Sequence, residues 1–149
     1  MFLIEPVKFY LVVISFSAFA FSASAEEVFT GTVPLEADKA FVVDHMVTGP
    51  NEVVVRLQIS ENYYLYKEKF IFSSSDFYIN YVNFPPAAVK FDEFFGLKEV
   101  YHNVMETTLK ISPKISGISM GILEVAYQGC WEGGVCYPLT RKSLQIKGL

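Results

Sequence analysis

The segment Asn51-Glu-Val-Val-Val-Arg-Leu-Gln-Ile-Ser60 alternates along its whole length. Val53, Val55, Leu57 and Ile59 fall on one side, and Glu52, Arg56, Gln58 and Ser60 on the other. Successive side chains of a strand point to opposite faces, so this period of two reads as a strand with one buried face. A buried strand face needs a second layer to cover it, which restricts the chain to sheet-containing folds. Gly49-Pro50-Asn51 just before it is a turn signal, and Ala40-Phe-Val-Val-Asp-His-Met-Val47 supplies a partner strand for a hairpin across that turn.

The rest of the chain repeats the theme. Tyr63-Tyr-Leu-Tyr-Lys-Glu-Lys-Phe-Ile-Phe72 reads as an aromatic strand, broken by Ser73-Ser-Ser-Asp76. A further strand is expected over Phe77–Phe84 and ends at Pro85-Pro86, because proline donates no ladder hydrogen bond. Met105, Leu109 and Ile111 share a face, as do Leu123, Val125 and Tyr127. A last strand is expected from about Cys136 to Lys147, with Leu144 and Ile146 inward and Arg141, Ser143, Gln145 and Lys147 outward. The chain carries 14 Phe and 9 Tyr, residues that suit pleated, half-buried surfaces. Helical periodicity is nearly absent after the N-terminus. The pattern predicts one all-β domain, a sandwich or a barrel, which 149 residues are enough to build around a single core.

The first residues follow a different rule. Lys8 precedes the apolar run Phe9–Phe21, then come the small residues Ser22-Ala-Ser-Ala25 and the acidic pair Glu26-Glu27. That order is the pattern of a secretory signal peptide, cleaved after Ala25. The run is shorter than the roughly 20 residues of a spanning helix and holds two serines. The expected division is therefore a leader, 1–25, and a mature domain, 26–149. The net charge of −4 gives no basic surface for nucleic acid.

An exported chain with 2 cysteines normally pairs them, because its compartment is oxidising. Both lie in Tyr127-Gln-Gly-Cys-Trp-Glu-Gly-Gly-Val-Cys-Tyr-Pro138. A bridge between Cys130 and Cys136 closes a small ring, with Gly133-Gly134 available for the turn. Small rings stabilise a fold less than large ones, and sandwich staples usually join distant strands. The spacing thus favours chemistry over stapling. It does not match a zinc half-site, and His45 and His102 are remote in sequence, so no metal or other cofactor is expected. Thiol–disulfide exchange needs a reachable sulfur and a resolving thiol close by, and the pair supplies the second.

Tyr127-Gln-Gly-Cys130 followed by Cys136-Tyr-Pro138 closely resembles the active-site loop of the periplasmic N-terminal domains of the DsbD thiol:disulfide interchange family. Asn62-Tyr-Tyr-Leu-Tyr-Lys67 resembles that family's aromatic strand, and Phe91-Asp-Glu-Phe-Phe-Gly-Leu-Lys-Glu-Val-Tyr101 its cap-loop region. The similarity runs from about Phe41 to Ile146. It implies an immunoglobulin-like β-sandwich with an inserted catalytic segment, located in the periplasm. It implies that Cys136 forms the mixed disulfide with a partner and that Cys130 resolves it. The cap loop, Asp92, Glu93, Phe94, Phe95 and Gly96, would cover the disulfide with Phe94 as shielding ring. Tyr64 and Tyr66 would line the site. Asp92 and Glu93 would lie near the sulfurs and disfavour a thiolate.

The family's full-length proteins continue into a membrane-embedded and a thioredoxin-like reductase domain. The resemblance implies these as the electron source, whether in the same chain or encoded separately. It implies periplasmic disulfide isomerases and cytochrome c maturation proteins as acceptors. A monomer with transient contacts at the cap-loop end is expected. Two readings from other classes compete: an exported binding module with a structural disulfide, and a metal-handling domain. By composition alone, Phe94 and Phe95 would be core residues, and Asp92 and Glu93 solvated loop charges.

Overall fold

A computed structural model describes residues 33–148, so the expected leader, 1–25, lies outside the described residues. A four-residue helix, α1 (Ala37–Ala40), leads into the hairpin β1 (Phe41–Gly49) and β2 (Glu52–Ile59). There follow β3 (Tyr63–Tyr66), a 3-10 turn at Lys67–Lys69, β4 (Ile71–Ser73) and β5 (Phe77–Asn83). The second half holds β6 (Ala88–Asp92), β7 (Gly96–Tyr101), β8 (Val104–Pro113) and β9 (Met120–Tyr127). It ends with β10 (Gly129–Trp131), β11 (Val135–Cys136) and β12 (Thr140–Lys147).

The strands form three sheets, ordered β1-β2-β8-β5, β12-β9-β4 and β11-β10-β3-β7-β6. The expected hairpin is present: Phe41 pairs with Ile59 and Val47 with Val53 across the turn, where Asn51 takes a positive φ of 64°. Val53, Val55 and Leu57 of β2 are buried with Met105, Leu109 and Ile111 of β8, as the alternation requires. Leu123, Val125 and Tyr127 of β9 join them, with Leu144 and Ile146 of β12. Burying a side chain of this kind contributes about 1.5–3 kcal/mol, so this one core carries the fold. The all-β, immunoglobulin-like sandwich is thus the architecture observed.

Two strand expectations are corrected. Residues 63–72 are not one strand. The charged run Lys67-Glu68-Lys69 leaves the sheet as a 3-10 turn, and the chain changes partners from β10 and β7 to β9. The cause is that Tyr63–Tyr66 is buried on both faces, whereas Ile71–Ser73 lies at the edge of a different sheet. The last strand begins at Thr140 rather than near Cys136. Cys136 pairs instead with Cys130 in a short ribbon, and Pro138 separates the ribbon from β12.

The five-stranded sheet positions the site. Tyr63, Leu65 and Tyr101 point from it into the main core. The alternate residues Tyr64, Tyr66, Val100 and Cys130 form a separate small cluster on its other face, with Cys136 packed against them. Period two therefore puts a core on one side of β3 and a site on the other.

Candidate active site

Cys130 and Cys136 form a disulfide with an S–S distance of 2.06 Å, across the β10–β11 ribbon. Gly134 closes that ribbon at φ 90°, a conformation an L side chain adopts only with strain. Cys130 is fully buried, while Cys136 is only partly covered. Of the two sulfurs, the one nearer solvent belongs to Cys136.

Cys130 is held beside Tyr64 by direct strand pairing of β10 with β3. Tyr66, two residues on, shares that face. Its hydroxyl lies 3.1 Å from Cys130 Sγ and 3.8 Å from Cys136 Sγ. The same hydroxyl donates to Asp92 Oδ2 at 2.7 Å, and the Tyr64 hydroxyl donates to that oxygen too. Asp92 Oδ1 accepts the backbone N–H groups of Phe94 and Phe95 at 2.8 and 2.9 Å. Asp92 thus joins the tyrosines beside the sulfurs to the turn of the β6–β7 hairpin. Gly96 closes that turn at φ 75°.

Burial opposes charge on Asp92, but its four hydrogen bonds outweigh burial and hold the carboxyl below the usual carboxylate range. Burial, reinforced by the bond to Asp92, pushes the Tyr64 phenol up to about 12. Tyr66 is raised further for the same two reasons, burial first. At neutral pH the cluster is one carboxylate and two neutral phenols.

The turn residues Glu93, Phe94 and Phe95 stand over this face. Phe95 packs edge to face on Tyr66, with centroids 5.4 Å apart. Phe94 lines a cleft of about 230 Å³ with Tyr64, Lys90, Asp92, Trp131 and Gly134. Phe94 and Phe95 are 53% and 44% exposed, so the core reading of these rings is corrected: they sit on the hairpin tip, outside both buried clusters. Asp92, only 2% exposed, is no solvated loop charge.

The structure joins Cys130, Cys136, Tyr64, Tyr66 and Asp92 in one cluster with Phe95 packed on Tyr66, while Glu93 and Phe94 line the adjoining cleft and Gly96 closes the hairpin turn. It adds three more. Lys90 donates to Glu132 Oε1 at 3.1 Å, and His102 Nε2 lies 3.4 Å from the same oxygen. Lys90 Nζ also stands 5.0 Å from the centre of the Tyr64 ring. The alternation of β6 was the available signal, since Lys90 shares a face with Asp92. Among the described residues, no group of three or more His, Cys, Asp or Glu side chains could hold a metal ion.

The sequence profile of the family described as "Thiol:disulfide interchange protein DsbD, N-terminal" matches residues 32–147. The chain belongs to the DsbD N-terminal domain family. Thiol:disulfide interchange protein DsbD of Pseudoalteromonas atlantica is 31% identical over 91% of this chain and 22% of its own length. That of Citrobacter koseri is 33% identical over 91% of this chain and 23% of its own length. The chain therefore spans less than a quarter of these DsbD relatives. The crystal structure of the reduced Neisseria meningitidis DsbD N-terminal domain superposes with a TM-score of 0.67 at 32% identity, covering 76% of this chain and 90% of that one. The Neisseria DsbD N-terminal domain in complex with the PilB N-terminal domain gives a TM-score of 0.60 at 29% identity, covering 77% of this chain and 88% of that one.

Proposed function

We propose that this domain is a periplasmic thiol–disulfide exchange module that relays electrons through Cys130 and Cys136. The observation that carries the reading is the asymmetry of the pair. Cys136 is the reachable sulfur, and Cys130 is buried against a tyrosine that is itself bonded to a carboxylate.

In the reduced domain the Cys136 thiolate attacks one sulfur of a partner's disulfide. A mixed disulfide forms and one partner thiolate leaves. Cys130 then loses its proton and attacks Cys136 Sγ, breaking the mixed disulfide and releasing the partner's second thiolate. The partner gains two electrons and, from solvent, two protons; the domain is left oxidised. Tyr66 supports the second step. Its own proton is committed to Asp92, so its oxygen accepts a hydrogen bond from the Cys130 thiol and aims that sulfur at Cys136 while the proton leaves to water. In the recharging direction an incoming thiolate attacks Cys136, and Cys130 is the leaving sulfur.

The cap residues Asp92, Glu93, Phe94, Phe95 and Gly96 serve as the lid. An open disulfide reacts with any thiolate, so apolar rings over it limit wrong reactions, and docking would displace them. Phe94, Phe95, Val135 and Leu139 are exposed around the site, an apolar rim that suits a protein partner. Export is supported by the leader-like residues 1–25, ahead of the domain at 26–149. A membrane-embedded and a thioredoxin-like reductase domain are the electron donors of this reading. Periplasmic disulfide isomerases and cytochrome c maturation proteins are its acceptors.

The test is the reduction potential of the pair in a glutathione series. Structural bridges of secreted proteins lie below about −300 mV. A higher value supports the relay, and Cys130→Ala should then trap a partner through Cys136. A value at or below that level would make the domain an exported binding module with a structural bridge.

A further inference from the structure

Glu132 lies in the loop between the two cysteines, and its position needs an explanation beyond the exchange chemistry. Its backbone N–H is fixed to Asn62 O at 2.8 Å, just before β3. Its carboxylate reaches across the cleft to Lys90 of β6, with His102, just after β7, against the same oxygen. Lys90 and His102 also flank Tyr64: the ammonium is 5.0 Å from its ring centre, and the imidazole centroid is 6.0 Å from it. The pairing to Lys90, with burial opposing and His102 assisting, holds the Glu132 carboxyl below the usual range. One carboxylate of the cysteine loop therefore meets Lys90 in the middle of β6 and His102 just after β7, on both arms of the hairpin whose tip is the proposed lid.

We infer that Lys90 and Glu132 form a clasp that holds the β6–β7 hairpin closed over the disulfide, and so sets how often a thiolate reaches Cys136. This rests on the exchange reading of the site. Both residues are positioning residues; their bond is to each other, and the hydroxyl beside the sulfurs is that of Tyr66. Opening the lid requires the tip at Glu93–Phe95 to move away from the ribbon at Cys130–Cys136, and the Lys90–Glu132 pair bridges that gap. Both side chains are partly exposed, 29% and 40%, so the pair is screened by water and salt. It is a weak clasp that a docking partner can break.

The alternative is that the two charges act only through their fields on an incoming thiolate. The two ideas differ in sign. A clasp makes Lys90→Met and Glu132→Gln both faster, because either loss releases the hairpin. A field effect makes Glu132→Gln faster and Lys90→Met slower, because the first removes a repelling charge and the second an attracting one.

The experiment is the second-order rate of reduction of the oxidised domain by dithiothreitol at pH 7, followed by trapping of free thiols. Expected is about a threefold rise for each single variant, consistent with loss of a screened ion pair. The double variant should be no faster than either single one, and Lys90→Arg should stay at the wild-type rate. Raising salt should speed the wild type and leave the double variant unmoved. The reduction potential should not change, since a clasp alters access in both directions. Opposite effects of the two single variants, unchanged rates, or rates that simply follow a falling melting temperature would each overturn the clasp. The exchange reading would survive any of these while the potential stays above the structural range, so the two failures are distinguishable.

Discussion

Asp92 is the one charged side chain buried among the described residues, and its setting explains how it stays charged. Two phenols and two cap-turn amides fill its acceptor sites, which is what a buried carboxylate needs. Its folded pKa lies below the ordinary value of 3.8. The unfolded chain then takes up the proton first as pH falls. The stabilisation is therefore complete above about pH 4 and lost as pH drops through the folded value. Asp92→Asn should lower stability at pH 7 by about 1–3 kcal/mol, because the two phenols and two turn amides lose a charged acceptor. The gap to the wild type should narrow by pH 3. Urea midpoints at pH 7, 5 and 3 check both points. Tyr66→Phe tests the neighbouring bond. It should lengthen the life of the mixed disulfide about tenfold, because the resolving Cys130 thiol loses the hydrogen bond that aims it, worth about 1 kcal/mol. Stopped-flow release of the partner gives the number, and an unchanged lifetime would remove Tyr66 from this step. The cysteines and the alternating Tyr64 and Tyr66 were legible in the sequence. That Asp92 is buried was not, since a lone Asp beside a Phe-rich turn looks like a solvated charge until the two phenols of the remote strand β3 are brought to it.

At the scale of elements, the β6–β7 hairpin is the part that carries the proposed lid, and its turn depends on Gly96. With φ at 75° and open space where a Cβ would go, the cost of a side chain there is conformational rather than steric. Gly96→Ala should cost about 1 kcal/mol and lower the melting midpoint by about 4 °C. Gly49→Ala is the matched control: it too has open space but no positive φ, so it should be neutral. Scanning calorimetry of both variants decides it. A neutral Gly96→Ala would mean the turn has no need of the left-handed region. The β1–β2 hairpin was readable because one face is buried and one is wet, and the alternation shows it. The segment 63–72 was not, because Tyr63–Tyr66 is apolar on both faces and gives no alternation to count. Its break at Lys67–Lys69 is decided by which sheet each half pairs with, a long-range fact.

The whole molecule places its cysteine pair outside the main core. The main core lies among β1, β2, β5, β8, β9, β12 and the inner face of β3 and β7, while Cys130 and Cys136 belong to a small cluster on the far face of the five-stranded sheet. The bridge spans a sequence separation of only 6 residues, so the loop-entropy picture gives it at most about 2 kcal/mol. That division is what the proposed relay requires: such a domain must stay folded in both redox states while its bond forms and breaks. The reduced domain should therefore unfold in one cooperative step, with a melting midpoint about 5–10 °C below the oxidised form. Cys130→Ser combined with Cys136→Ser should behave like the reduced protein. Calorimetry with and without a phosphine reductant measures the difference directly. A loss of more than about 5 kcal/mol, or of the cooperative transition itself, is the outcome expected of a staple. It would mean that this pair cannot cycle without unfolding the domain that presents it.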